Sequence, residues 1–254
     1  MNKIVKIIFQ DTLRSKIVLV YFLMLSVLSW VSLALENNES KGILTSMNIL
    51  LFIVPLVTLL YTTIYIYNSK EFIVLLLSQP IRRGKIWNNL YAGVAGSLLL
   101  AFLLGAGIPL LVYTGAVGFL IILMGMVTTL IFVSMAFLTA MLTNDKARGI
   151  GMVILFWLFF TILYDGICLF ILFQFSDYPI EGPMMALLML NPIDLARFQV
   201  ILRLDVSAMM GYSGAVFKAF LGKESGSLVS GVILVAWIIV PYLLSLHKFR
   251  HKDM

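Results

Sequence analysis

Six long stretches of this chain carry almost no charge, and they decide what it can fold into. They run approximately Ile17–Leu35, Ile43–Tyr67, Asn88–Tyr113, Val117–Leu142, Ile150–Phe175 and Leu228–Leu246. Each reaches or exceeds the roughly 17–25 residues that a helix needs to cross ~30 Å of hydrocarbon. Only helices and closed barrels satisfy every backbone N–H and C=O in lipid, and uninterrupted apolar runs lack the alternating faces of a barrel strand. The expected fold is therefore an all-α membrane protein of six transmembrane helices forming a single transmembrane domain over residues 1–254. Pro55, Pro109 and Pro241 fall inside the spans, where they are tolerated and predict local kinks. Composition agrees: 61% of residues are hydrophobic and 12% charged, against about 25% charged in soluble domains. Cys168 is the single cysteine, which excludes an internal disulfide framework.

The net charge of +6 resembles a nucleic-acid signal until the basic residues are placed. Lys3, Lys6, Arg14 and Lys16 precede the first span; Lys70, Arg82, Arg83 and Lys85 lie in the 68–87 loop. Lys146 and Arg148 follow the fourth span, and Lys248, Arg250 and Lys252 follow the sixth. Thirteen of the 18 basic residues thus fall on one side, leaving Lys41, Arg197, Arg203, Lys218 and Lys223 for the other. The positive-inside rule then puts both termini in the cytoplasm of a bacterial inner membrane, with no nucleic-acid partner. Ser32-Leu33-Ala34 fits a small-x-small cleavage pattern, but the apolar run behind its charged leader is longer than a signal's usual apolar region. The first span is expected to stay uncleaved. Within residues 1–16, Ile4, Val5, Ile8, Phe9 and Leu13 recur at helical spacing between Lys3, Lys6, Gln10 and Arg14. That pattern predicts an amphipathic helix along the inner leaflet.

The 68–87 loop contains a second short oily segment, SKEFIVLLLSQPIRRGK over residues 69–85. Phe72, Ile73, Val74, Leu75, Leu76 and Leu77 are too few to cross a bilayer and too apolar to be left uncovered. Pro80 ends the helix and biases Gln79 away from helical geometry. One side of the helix can rest on the membrane surface or on the chain's own helices. The other suits a cytoplasmic partner with a groove for a short helix, Lys70 and Glu71 leading it and Arg82, Arg83 and Lys85 meeting anionic headgroups or acidic side chains. An ordinary interfacial helix is the plainer alternative.

A Glu-led apolar helix after the second of six spans, ending Leu-Leu-Ser-Gln-Pro-Ile-Arg-Arg-Gly, resembles the coupling region of type 2 ABC transporter permeases. The stretches SQPIRRG (78–84), LYDG (163–166) and NPIDLARFQ (191–199) resemble, within that group, the permease of the nitrous-oxide reductase maturation system. The resemblance implies a homodimer carrying two cytoplasmic ABC ATPase subunits, which bind ATP and Mg, with no cofactor in this chain. It also implies a periplasmic β-helical accessory protein, held by the outward segment through Asn191, Pro192, Asp194, Arg197 and Phe198. ATPase closure would push the 70–79 helix, and the spans would turn that push into movement of a copper or sulfur species, or of force. Where that family often carries an acidic residue before the leucine run, this chain has Val74, leaving Glu71 to supply the charge. No G-x-x-x-x-G-K-[ST] loop occurs; Gly222-Lys223 lacks the upstream glycine.

In the fifth span, Asp165 sits near the bilayer midplane, where an ionised carboxylate costs ~2.5–3.5 kcal/mol on insertion scales. No Lys, Arg or His falls within the six spans to pair with it. Protonation, a bond to Thr161 or a neighbouring helix, or a wet cavity would each satisfy it. Cys168 lies at i+3 on the same face; soft-metal ligation by this pair is conceivable, but a small core thiol is the simpler reading, and no metal site is assigned. The outward segment, about 176–225, is too long for a turn. Asn191-Pro192-Ile193-Asp194 reads as a cap, a first-turn proline and an acidic third position. A helix is expected from there to about Leu204, with Leu195, Phe198, Ile201 and Leu202 as its apolar stripe, and a second over 214–221 ending at Gly222. Both are expected to lie flat at the outer interface. Met184, Met185, Met189, Met209 and Met210 gather outside; thioethers suit Cu(I), yet methionine is an ordinary gap-filler. Ala92, Gly93, Gly96, Ser97, Gly105 and Gly107 permit close helix contact within the chain or across a dimer.

Other classes fit less well. An intramembrane enzyme needs a nucleophile–base or metal constellation, and His247 and His251, the only histidines, fall in the tail. An ATP-independent secondary transporter would carry broken, repeated helices with several buried charges. A general type 2 ABC exporter of lipid, drug or peptide is the nearest alternative.

Overall fold

The computed structural model describes residues 3–36, 39–175, 178, 181–202 and 224–251. Among them the secondary structure is helical, with no strand. The helices are α1 (Lys3–Arg14), α2 (Lys16–Leu35), α3 (Glu39–Asn68), α4 (Lys70–Leu77), α5 (Arg83–Gly115), α6 (Val117–Leu142) and α7 (Lys146–Gln174). After them come α8 (Glu181–Leu190), α9 (Pro192–Ile201) and α10 (Glu224–His251). Six are long and apolar enough to cross a membrane: α2, α3, α5, α6, α7 and α10.

The short N-terminal helix is amphipathic and packs along α5. Ile8 and Thr12 are buried there, and Ser97 Oγ donates to the Phe9 carbonyl at 3.1 Å. Gly93 permits the approach: a Cβ at that position would stand 2.5 Å from Ile8 Cγ2. Gly96 faces the Phe9 ring, and Gly105 lies under the Phe22 carbonyl of α2. These small residues of α5 therefore serve contacts within the chain. Ser15, in extended conformation, is the one residue between α1 and α2, and it redirects the backbone into the first span.

The most buried spans are α5 and α6, the least buried α7 and α10. Trp87 anchors one end of the bundle: it stacks on Phe249 at 4.3 Å, meets Phe137 edge-on at 4.9 Å, and donates from Nε1 to Ser245 Oγ at 3.1 Å. Exposed Leu155, Phe170 and Phe173 on α7 are expected on a surface whose solvent is lipid. Helices α3 and α10 run through Pro55 and Pro241 without breaking. In α5 a π turn, Leu103–Gly107, precedes Pro109, which has no N–H to continue the ladder. Gly115 (φ +53°) reverses the chain between α5 and α6, a conformation open to glycine at little cost.

Three expectations change. The span containing Trp87 begins at Arg83, so Arg83 and Lys85 belong to its first turn and not to a loop reaching residue 87. The helix after Asn191 ends at Ile201, and Ile193, Leu195, Ala196, Val200 and Ile201 are buried while Phe198 is only partly so. Most consequentially, α8 and α9 do not lie flat. They meet at a 113° bend whose tip is Asn191, and the tip contacts Phe160 at the midpoint of the 29-residue α7. The pair is a hairpin dipping into the bundle from the end opposite α4. Ile193, Leu195, Ala196 and Val200 of α9 are buried there, and Asn191 and Gln199 find polar partners on neighbouring helices while Asp194 accepts from Asn191. The expected helix over 214–221, with Gly222, Arg203, Met209, Met210, Lys218, Lys223 and Lys252, lies outside the described residues.

Candidate functional site

Two places combine exposed or polar groups with defined geometry, one at each end of the bundle. The first is α4. Its register divides the apolar run in two: Ile73 and Leu76 are buried against the bundle, whereas Val74 and Leu75 are 48% and 65% exposed. Lys70, Glu71, Ser78, Gln79 and Pro80 are exposed on the same platform, and Phe72 and Leu77 lie at its margin. The helix is thus held by one face and offers the other. Its end is set locally: Ser78 N–H bonds to Val74 O and Gln79 N–H to Leu76 O, and Pro80 cannot extend the ladder. Arg82, extended, then leads into α5.

Several basic residues at this end already have partners within the chain. Lys70 Nζ donates to the Asn144 carbonyl at 2.7 Å and stands 4.6 Å from the Tyr67 ring centroid. Lys146 Nζ donates to Asn68 Oδ1 at 2.8 Å, and Arg83 Nη1 to the Arg250 carbonyl at 3.3 Å. Arg82 and Lys85 are exposed. The structure therefore gathers the α3–α4 corner, the 143–145 turn and the end of α10 at one end of the bundle.

The second place is where the α8–α9 hairpin meets α7. Asn191 caps α9 through Oδ1, which accepts from Ile193 N–H at 3.0 Å, with Pro192 in the first turn. Its Nδ2 donates to the Phe160 carbonyl at 2.9 Å and to Asp194 Oδ2 at 2.8 Å. The Phe160 carbonyl belongs to a π turn, Phe159–Leu163, where the ladder shifts register. Tyr164 donates its hydroxyl to the Leu187 carbonyl, tying α8 to the same stretch. Gln199 bonds Ser230 of α10, and Ser230 donates in turn to the Ser227 carbonyl at 2.9 Å.

Asp165 is not without a cation. Arg197 Nη1 lies 3.3 Å from Asp165 Oδ2 and 3.1 Å from Asp194 Oδ1. The sequence reading placed Arg197 on a flat outer helix, and the bend at Asn191 carries it to the carboxylate. Thr161, the other candidate partner, donates instead to the Trp157 carbonyl, as buried hydroxyls in helices often do. Two carboxylates thus share one guanidinium where α7 meets the hairpin. Cys168 is a free, half-buried thiol one turn beyond Asp165, and among the described residues no group of three His, Cys, Asp or Glu side chains forms around it. Met184, Met185 and Met189 are partly buried on α8. Phe198 lies at the margin of α9 and packs against the core.

No family model matches the chain. A protein named probable ABC transporter permease protein NosY from Stutzerimonas stutzeri is 29% identical over 217 residues, spanning 79% of this chain and 76% of that protein. One of the same name from Pseudomonas aeruginosa is 28% identical over 177 residues, 63% of each chain. This chain resembles the NosY permeases. With six apolar helices long enough to span, it has the architecture of a multi-pass membrane protein, as the permeases it resembles do by name.

Sequence reasoning missed two features of this NosY-like architecture: the Arg197 pairing, and the joint in which the Tyr67 hydroxyl meets Thr143 and its ring lies against Gly149. A signal for the first was present. A lone carboxylate in a span and a lone arginine on an otherwise apolar outer helix are each costly in lipid, and pairing lowers both costs. The joint has no such signal, since Tyr67, Asn68, Thr143 and Gly149 are ordinary residues at span ends.

Proposed function

We propose that this chain is the membrane-spanning permease subunit of an ABC transporter, worked by a separate ATPase that docks on the outward face of α4. Both termini lie in the cytoplasm of a bacterial inner membrane, the subunit pairs with a second copy, and two ATPase subunits bind ATP and Mg. The cargo is a copper or sulfur species, or force, delivered for nitrous-oxide reductase maturation, with a periplasmic β-helical protein engaging the outward segment.

The observation that carries this reading is the division of α4. Val74 and Leu75 are exposed beside Glu71 at the basic end of the bundle, on a helix of eight residues too short to be a span. A soluble partner's groove covers such a face. Because Ile73 and Leu76 anchor the helix, the test uses Val74→Ser with Leu75→Ser and leaves the anchors intact. The variant should insert and fold normally but lose at least tenfold in co-purification with its ATPase. Unchanged assembly and ATP hydrolysis would end the proposal.

An apolar cleft of about 600 Å³ between α6, α7 and α10, lined by Met135, Phe156, Phe159, Trp237 and Pro241 among others, favours a second reading, export of a lipid or another apolar compound. Stimulation of the reconstituted ATPase by phospholipid, and not by Cu(I) or a sulfur donor, would select it.

A further inference from the structure

A push on α4 must reach the opposite end of the bundle to do transport work, and α4 packs chiefly against the neighbouring ends of α3 and α5. The structure assigns the transmission to α7, acting as a lever with a foot joined to the α3–α4 corner, a fulcrum on α3 and a load at the α8–α9 hairpin. This rests on the proposed docking of the ATPase at α4.

The foot is a reciprocal clamp. Lys70 of α4 donates to the Asn144 carbonyl before α7, and Lys146 of α7 donates back to Asn68, the last residue of α3. Between them the Tyr67 hydroxyl meets the Thr143 carbonyl at 3.1 Å and the Thr143 hydroxyl. Gly149, in the first turn of α7, lies directly on the Tyr67 ring: a Cβ there would stand 2.5 Å from the Tyr67 Oη. The turn itself is stiff, because Asp145 caps α7 by accepting from Arg148 N–H at 3.2 Å. Each exposed lysine contact is individually weak, but ring packing and crossing hydrogen bonds together fix one geometry.

The fulcrum is Trp157, whose Nε1 donates to the Phe52 carbonyl at 3.1 Å while the two rings meet edge-on at 4.9 Å. Beyond it, the Phe160 carbonyl and Asp165 hold Asn191 and Arg197 of the hairpin. Elsewhere α7 is the least buried of the six spans and borders the apolar cleft, so little packing opposes a tilt. At 1.5 Å per residue its 29 residues reach about 43 Å, enough to link the two ends of the bundle. Displacement of α4 therefore moves the foot of α7, and the hairpin follows.

Hydrogen–deuterium exchange of the permease–ATPase complex in lipid nanodiscs, without nucleotide and trapped with ATP and vanadate, tests this. In the wild type, peptides within 181–201 should change their exchange rates at least threefold on trapping. Tyr67→Phe with Lys146→Met should leave assembly and ATP hydrolysis within twofold of wild type while cutting that response by about half. Gly149→Leu, which wedges the foot from the ring, should reduce it further. A merely structural clamp would alter exchange equally in both states and spare the difference between them. A hairpin that does not respond in the wild type, a double variant that responds fully, or a double variant that no longer assembles would overturn the lever. Failure of the docking proposal shows separately, as unchanged assembly of the Val74→Ser, Leu75→Ser variant.

Discussion

Arg197 is the cation that Asp165 and Asp194 share, and a double-mutant cycle with Asp165 measures what that is worth. The side chains of Arg197, Asp165 and Asp194 are 27%, 37% and 10% exposed. They fall between a surface pair, worth about 0–1 kcal/mol, and a buried one, whose breaking costs about 3–5 kcal/mol. Asp165→Asn leaves Arg197 its 3.1 Å contact with Asp194 and should cost about 1 kcal/mol. Arg197→Gln leaves Asp165 without its cation and Asp194 with only the Asn191 amide, and should cost about 2–3 kcal/mol. With the arginine gone, Asp165→Asn removes an unpaired charge, so in that background it should be neutral or stabilising. The coupling energy is then about 1–2 kcal/mol, a factor of about 5–30 in the opening equilibrium of the hairpin. The assay is amide exchange of 181–201 peptides in detergent micelles for the wild type, both single variants and the double. Exchange should accelerate most in Arg197→Gln and no further in the double variant. Additivity of the two singles within ~0.3 kcal/mol would refute the ion pair as the tie between α7 and the hairpin.

Other expectations follow from contacts elsewhere in the bundle. Asn191→Ala removes the α9 cap and the donor to the Phe160 carbonyl; a loss of about 1–2 kcal/mol in thermal unfolding and faster exchange at the hairpin tip are expected. Gly93→Leu drives a side chain into Ile8 and should cost about 1–3 kcal/mol, raising protease sensitivity of residues 3–14 while the six spans still insert. Trp87→Ala empties a fully buried site between Phe137 and Phe249 and should lower stability by about 3–5 kcal/mol in the same unfolding assay.

The spans were legible because lipid imposes a rule on each segment separately: length, apolarity and charge at the flanks suffice. The same local logic reads Asn191-Pro192 as a helix start and Pro80 as a helix stop, since caps and prolines act within a few residues. The two-sided nature of α4 was legible only as a need for cover on more than one side. Which residues anchor and which remain free, Ile73 and Leu76 against Val74 and Leu75, depends on the angle at which α4 leaves α3.

What the sequence determined by itself, then, is the number and type of helices and the gathering of basic charge at certain loops, because bilayer solvation acts on every segment independently. Only the tertiary structure decided that α8 and α9 turn inward, that Arg197 reaches Asp165 across 32 positions of chain, and that Tyr67 clamps the start of α7. Each of those contacts joins segments distant along the chain, and no local rule fixes the distance between helices that lipid would tolerate in many arrangements.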